Sequence, residues 1–376
     1  MTAEQTKPSA SVAHTEARRS PSLTALWIVV AVVTVGLIAY YARTGAVSDR
    51  VRNPEVNGAP RPVRYLFGIS SSTWMTVSQV GSLVSLVILL GVFFWAWRRW
   101  PAHPVLLMSI VTTVIVWQDP IMNWAPYAVY NPQLWHWPED WPLVSLSPTV
   151  EPFIVILYAF FYLGPYFPSV WILRKIQAKR PLDSFVWRHP LISLAAIIYG
   201  VGFVFDAFLE IANIRTGLYI YDQVIPFGSV FTGTPFQFPL IWESSLVTLV
   251  MIPSGVLLYR DDSGRTVAEK LAQRARIFAG RPVLGSFAVM LVIINLAYFA
   301  YGAGFALIKW TRTATSVACP WPYPEAKVYD PQGFYEKAGA PGPYSMGIWS
   351  TWMSAQPDGR PHVEPPANGG PCTPRG

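Results

Sequence analysis

Seven apolar blocks punctuate the chain, at residues 23–41, 74–97, 104–123, 150–173, 190–211, 238–259 and 284–308. A helix rises 1.5 Å per residue and needs roughly 20 residues to cross about 30 Å of hydrocarbon. All seven blocks reach or approach that length. The third is the weakest, since its unbroken apolar part stops at Trp117. The first has 22 residues ahead of it and no small-x-small cleavage pattern, so it reads as a span and not as a signal peptide. The pattern predicts an all-α fold: a polytopic transmembrane helix bundle of about seven spans over residues 23–308.

The ends differ from the bundle. Residues 1–22 are polar and read as a disordered cytoplasmic N-terminus. From residue 309 onward Pro and Gly are frequent, which disfavours regular structure. Residues 309–352 nevertheless carry Trp321, Tyr323, Tyr329, Phe334, Tyr335, Tyr344, Trp349 and Trp352. So many aromatics predict an irregular extracytoplasmic cap on the outer mouth of the bundle, followed by a flexible tail at 353–376.

Composition agrees with the periodicity. Hydrophobic residues make up 52% of the 376 and charged residues 13%, against roughly 25% charged in soluble domains. A soluble enzyme and a disordered chain are both poor fits. The net charge of +7 requires no nucleic-acid partner, because a Lys/Arg excess on one side of a bilayer gives the same number. Basic residues cluster before the first block (Lys7, Arg18, Arg19), after the second (Arg98, Arg99), between the fourth and fifth (Arg174 to Arg188) and between the sixth and seventh (Arg260 to Arg281). With seven spans these regions share one side, while residues 118–149 hold no Lys or Arg. The positive-inside rule then predicts a multi-pass protein of the plasma membrane with a cytoplasmic N-terminus and an outer C-terminus. Arg43, Arg50, Arg52, Arg61 and Arg64 in the first outer loop run against that orientation. Two cysteines, Cys319 and Cys372, are too few for a disulfide scaffold. A bond between them is permitted, and free thiols are equally compatible.

Ionisable groups inside hydrocarbon cost at least a few kcal/mol, so each demands a reason. The blocks carry Asp119 and Asn123 near the end of the third, Glu151 at the start of the fourth, Asp206, Glu210 and Asn213 at the end of the fifth, and Glu243 at the start of the sixth. Asp206, Glu210 and Asn213 are spaced i, i+4, i+7 and share one helix face. Alternating spans bring all these acids toward one membrane face, and turning them inward would form one pocket. Carboxyls held in low dielectric near one another ionise unequally, which supplies the acid and the base of general acid–base catalysis. The sequence therefore predicts Asp206 and Glu210 as the catalytic pair, with Asp119 and Glu243 assisting. Asn123, Asn213, Glu151, Trp117 and Tyr219 are the predicted substrate-binding residues. The expected substrate is a hydrophobic small molecule entering from the lipid bilayer, with no cofactor; protein partners stay unassigned.

Plainer readings stand beside these. Glu151 and Glu243 at helix N-termini gain from the helix dipole alone. Asp206 and Glu210 could simply tie helices together, with Arg215 as a partner. Asn295 reads as an interhelical contact, and Gly200/Gly202 and Gly302/Gly304 as close helix packing. His14, His103, His136, His189 and His362 form no metal-ligand spacing within a block. The Trp117–Trp141 group of tryptophans is most simply an interfacial belt.

Three segments resemble the AveC-type spirocyclase family of actinobacteria: "FDAFLEIANIRTGLYIY" at 205–221, "WQDPIMNW" at 117–124 and "VYDPQGFYEKAGAPGPYSMGIW" at 328–349. The resemblance extends over roughly residues 77–352. It implies an integral membrane protein of secondary metabolism with cyclase and dehydratase chemistry on a polyketide, passing through a hemiketal and an oxocarbenium ion. Family membership predicts fold and chemistry better than substrate. An isoprenoid-like substrate and a terpene-cyclase reaction stay open. So do a proton-linked transporter and a non-catalytic partner in a lipid or cell-envelope pathway.

Overall fold

The computed structural model describes residues 65–318, apart from 124–127, 132, 139–143, 145, 146, 148, 149 and 312, together with residues 328, 329, 344 and 345 and the single positions 25, 29, 32 and 36. The first apolar block, most of the expected cap, the tail and both cysteines lie outside the described residues.

A hairpin of β1 (Tyr65–Leu66) and β2 (Ile69–Ser70) leads into α1, Ser71–Arg99, whose start is capped by the Ser70 side chain accepting from the Thr73 N–H. Only Met75 and Gln79 of α1 are buried. An apolar helix exposed on nearly every side suits a lipid environment. Helix α2, Pro104–Val114, begins with Pro at its first position, where a missing N–H costs nothing. It tightens into a 3-10 turn at Ile115–Gln118 and ends in the short α3, Asp119–Met122. The fourth block is jointed: a 3-10 turn at Phe153–Leu157, α4 at Tyr158–Leu163 and α5 at Tyr166–Gln177. Pro165, with no N–H to donate, sits at the joint before α5. After the short α6 (Phe185–Arg188) comes α7, Pro190–Thr216, then α8 (Leu240–Val256), α9 (Val267–Arg274) and α10 (Pro282–Trp310).

Four of the described helical segments are long and apolar enough to cross a membrane: Ser71–Arg99, Phe153–Gln177, Pro190–Thr216 and Pro282–Ile308. Pro104–Gln118 and Leu240–Val256 are apolar but shorter. With the first of the seven expected blocks almost wholly outside the described residues, these four spans and two shorter helices account for the other six blocks, and the count of seven is not confirmed. At 1.5 Å per residue α8 rises only about 25 Å, because the chain turns out of the helix after Val256.

The core lies among α2, α4, α5, α7, α8 and α10, where Met108, Val111, Leu194, Ile198, Val250, Met251, Met290 and Ile294 are buried together. Helices α7 and α8 share the most extensive contact. At one end, short strands close the bundle. β3 (Ala128–Tyr130) pairs antiparallel with β4 (Tyr219–Tyr221), Tyr130 opposite Tyr219. β5 (Gln223–Val224) pairs with β6 (Ser316–Val317), which fastens the chain after α10 to the loop after α7. These strand pairs modify the all-α expectation, although the molecule remains mostly helical.

Candidate active site

Helix α7 runs one turn beyond its predicted end and stops at Gly217, whose φ of +86° allows the left-handed cap. The chain reverses there, and β4 returns beside the end of α7. Tyr219 and Tyr221, two apart on a strand, project to the same side. Both hydroxyls donate to Glu210 Oε2, that of Tyr221 at 2.9 Å.

Two other carboxyls receive tyrosines from α10. Tyr298 and Tyr301 are three residues apart and share a helix face. Tyr298 OH donates to Asp119 Oδ1 at 3.2 Å and lies 3.1 Å from the hydroxyl of Tyr158. Tyr301 OH donates to Glu243 Oε1 at 2.6 Å. Asn123, one turn after Asp119, donates to Asp119 Oδ2 at 3.1 Å and to Glu151 Oε2 at 3.3 Å. It ties the end of α3 to the segment ahead of the Phe153–Leu157 turn.

These groups surround one cavity of about 380 Å³. Asp119, Asn123, Glu210, Asn213, Tyr219 and Glu243 line it, as do Ser78, Ser82 and Ser85 of α1 and the aromatic walls Phe160, Phe161 and Tyr162. Three residues expected at the site do not line it. Asp206 is fully buried in the α7–α8 contact, and neither of its oxygens has a hydrogen-bond partner among the described residues; Ser244 of α8 lies beside it without hydrogen-bond geometry. Glu151 is buried behind Asn123, and its Oε1 also lacks a partner there. Trp117 points away, half-exposed, and donates to Asn295 Oδ1 at 2.9 Å. Gln118 donates to the same oxygen at 2.9 Å, so Asn295 joins α10 to the 3-10 turn. Arg215 is not a partner of the carboxyls. Its guanidinium sits over the rings of Phe231 and Phe236, at 4.3 and 4.5 Å.

Tyr219 was expected at the site and lines it; the other tyrosines were missed by sequence reasoning, although a signal existed. Tyr158, Tyr162, Tyr298 and Tyr301 are hydroxyl-bearing residues placed at i, i+4 and i, i+3 in apolar blocks where Phe would serve packing as well. Burial, reinforced by Glu210 and Glu243, pushes the Tyr221 hydroxyl well above its ordinary value. Burial and the negative charge of Asp119, Glu151 and Glu210 do the same to Tyr130. Both remain hydrogen-bond donors at neutral pH.

Among the described residues no three His, Cys, Asp or Glu side chains come together as a metal-holding group. The arrangement instead juxtaposes carboxyls, phenolic donors and amides on an otherwise aromatic and apolar wall. It can exchange protons with an oxygen-bearing apolar molecule and place negative charge beside a developing cation.

A family model described as "Spirocyclase AveC-like" matches residues 97–329, more than half of the chain, and that span contains every carboxyl of the cavity. No curated protein and no solved structure matches the chain.

Proposed function

We propose, on the premise that the chain belongs to the AveC-like spirocyclase family, that it is a membrane-embedded acid–base cyclase/dehydratase. The substrate is a hydrophobic dihydroxy-ketone of polyketide or isoprenoid type. The observation that carries this reading is the cavity in which Asp119, Glu210 and Glu243 each hold at least one tyrosine hydroxyl.

The chemistry divides between a base and an acid. A carboxylate takes the proton from a substrate hydroxyl as its oxygen bonds to the ketone carbon. A protonated carboxyl or tyrosine gives a proton to the carbonyl oxygen, and a hemiketal results. Protonation of the hemiketal hydroxyl releases it as water and leaves an oxocarbenium ion. A second hydroxyl closes on that carbon and returns its proton to a carboxylate. The net change is ring closure with loss of one water. Loss of a proton from the adjacent carbon instead gives the dehydrated product. Aromatic faces and the remaining carboxylate stabilise the cation.

Glu210 and Glu243 face the cavity and take the acid and base roles. Asp119 with Tyr298 assists, and Asn123 and Asn213 orient substrate oxygens. Asp206, one turn behind Glu210 and outside the cavity, acts through its neighbours as a positioning residue. The location in the plasma membrane, N-terminus in and C-terminus out, is supported by the distribution of charge. Arg99, Arg174 and Arg260 lie at the helix ends away from the cavity.

The test is complementation of a deletion strain with Glu210→Gln, Glu243→Gln and Asp119→Asn, each near-isosteric. Product formation is expected to fall at least about a hundredfold for Glu210→Gln, with the protein still inserted at wild-type level. If all three inserted variants keep full product formation, the acid–base assignment is wrong.

A further inference from the structure

Helices α2 and α8 run between two different environments. At one end they deliver Asp119 and Glu243 to the cavity. At the other, roughly 25 Å away along α2 and the 3-10 turn that continues it, lies a separate groove. It occupies about 190 Å³ and is lined by His103, Tyr166, Val170, Arg174, Tyr259 and Arg260.

The polar side chains of this groove are donors, and no Asp or Glu lines it. Arg174 stacks on the Tyr259 ring at 5.2 Å, which fixes the plane of its guanidinium. It donates to Gln177 Oε1 at 3.0 Å and to the Arg260 carbonyl at 3.4 Å. A guanidinium has five N–H donors, so most of its capacity is unspent. Arg260 donates to the Gly264 carbonyl at 3.2 Å. Neither arginine is ion-paired among the described residues.

The nearby acids are already engaged. Asp261 is bound by Lys270 and Ser263, and the Lys270 contact holds its carboxyl down to about 2. Glu269 Oε2 accepts from the Thr266 N–H at 2.6 Å in the capping box of α9. His103 Nδ1 accepts from the Val105 N–H at 3.3 Å. A neutral ring with that bond carries its hydrogen on Nε2. Partial burial and the Arg260 charge lower the His103 pKa, with Glu269 opposing, which favours that neutral donor. The N-terminus of α2 adds partial positive charge only. Pro104 has no N–H, and those of Val105, Leu106 and Leu107 are bonded to His103.

Two guanidiniums share one groove, repel each other and have only neutral acceptors, with no carboxylate partner among the described residues. From this we infer that the groove binds a phosphate-class oxyanion, either free phosphate or the phosphate of an anionic lipid headgroup, held by Arg174 and Arg260 with His103 as a third donor. The inference is independent of the reading of the cavity.

The test uses the full chain in phosphatidylcholine nanodiscs. One arm titrates inorganic phosphate against chloride at matched ionic strength and follows the thermal unfolding midpoint. The other replaces part of the lipid with phosphatidylglycerol and measures lipid retention by native mass spectrometry. Binding in either arm, weakened about tenfold or more by Arg174→Gln/Arg260→Gln and unchanged by Arg180→Gln on the same end, supports the site; the responding arm identifies the source. Val170→Phe, which fills the groove and keeps both charges, should give the same loss. It serves as the deciding variant if the double substitution does not fold. Absence of binding in both arms, or equal weakening by Arg180→Gln, or binding unaffected by Val170→Phe, overturns the inference.

Discussion

At the scale of single residues, the site is a set of carboxyl–tyrosine pairs drawn from different elements. Tyr301 is the clearest case, because its hydroxyl is the partner of Glu243 Oε1 and Glu243 Oε2 has none among the described residues. Tyr301→Phe would leave a buried carboxyl without a donor. The expected cost is about 1–3 kcal/mol of stability and roughly tenfold or more in product formation, read by thermal unfolding and by complementation. Unchanged values in both would remove the pair from the account. The carboxyls were legible in the sequence, since a charged group in an apolar block stands out. Which of them face the cavity was not. Asp206 and Glu210 share a helix face by spacing, yet a face about 100° wide serves both a helix interface and a cavity wall. The packing of α8 against α7 consumes Asp206 and leaves Glu210 open.

At the scale of elements, helical blocks were legible because hydrophobicity and length determine them almost alone. Their interruptions were less so. The 3-10 turn at Ile115–Gln118 is stabilised by the Trp117 and Gln118 bonds to Asn295, a contact made across 177 or more positions in the chain. The strands Ala128–Tyr130 and Tyr219–Tyr221 are too short for any alternation to be read. Glycine spacing was only half informative. A Cβ at Gly202 would fall 2.8 Å from Met251 Sδ and 3.2 Å from Thr248 Cγ2, whereas one at Gly200 would meet nothing within 4 Å. The α7–α8 contact that carries Asp206, Glu210 and Glu243 therefore depends on Gly202. Gly202→Leu is expected to destabilise the protein by about 1–3 kcal/mol through overpacking. Gly200→Leu should be neutral or slightly stabilising, since it replaces glycine in an exposed helical position. Thermal unfolding of the two variants side by side checks this; equal effects would contradict the packing argument.

At the scale of the whole molecule, the bundle is polarised. The buried carboxyls converge at one end of α2, α7 and α8, and Arg99, Arg174 and Arg260 lie at the other, with Arg215 the exception at the cavity end. That polarity was visible in the order of charges along the chain, and it supports one orientation in a bilayer. The exposed apolar surface of α1 lies beside a cavity it lines with Ser78, Ser82 and Ser85, which would give the proposed lipid-soluble substrate a short way in. The central claim is that this cavity changes the covalent structure of its substrate. The most direct measurement is mass spectrometry of lipid extracts from a deletion strain, the wild type and a strain carrying Asp206→Asn/Glu210→Gln. The account predicts that deletion and double variant accumulate the same precursor, heavier than the missing product by one water. A double variant that restores the wild-type profile, with no precursor retained, would contradict it.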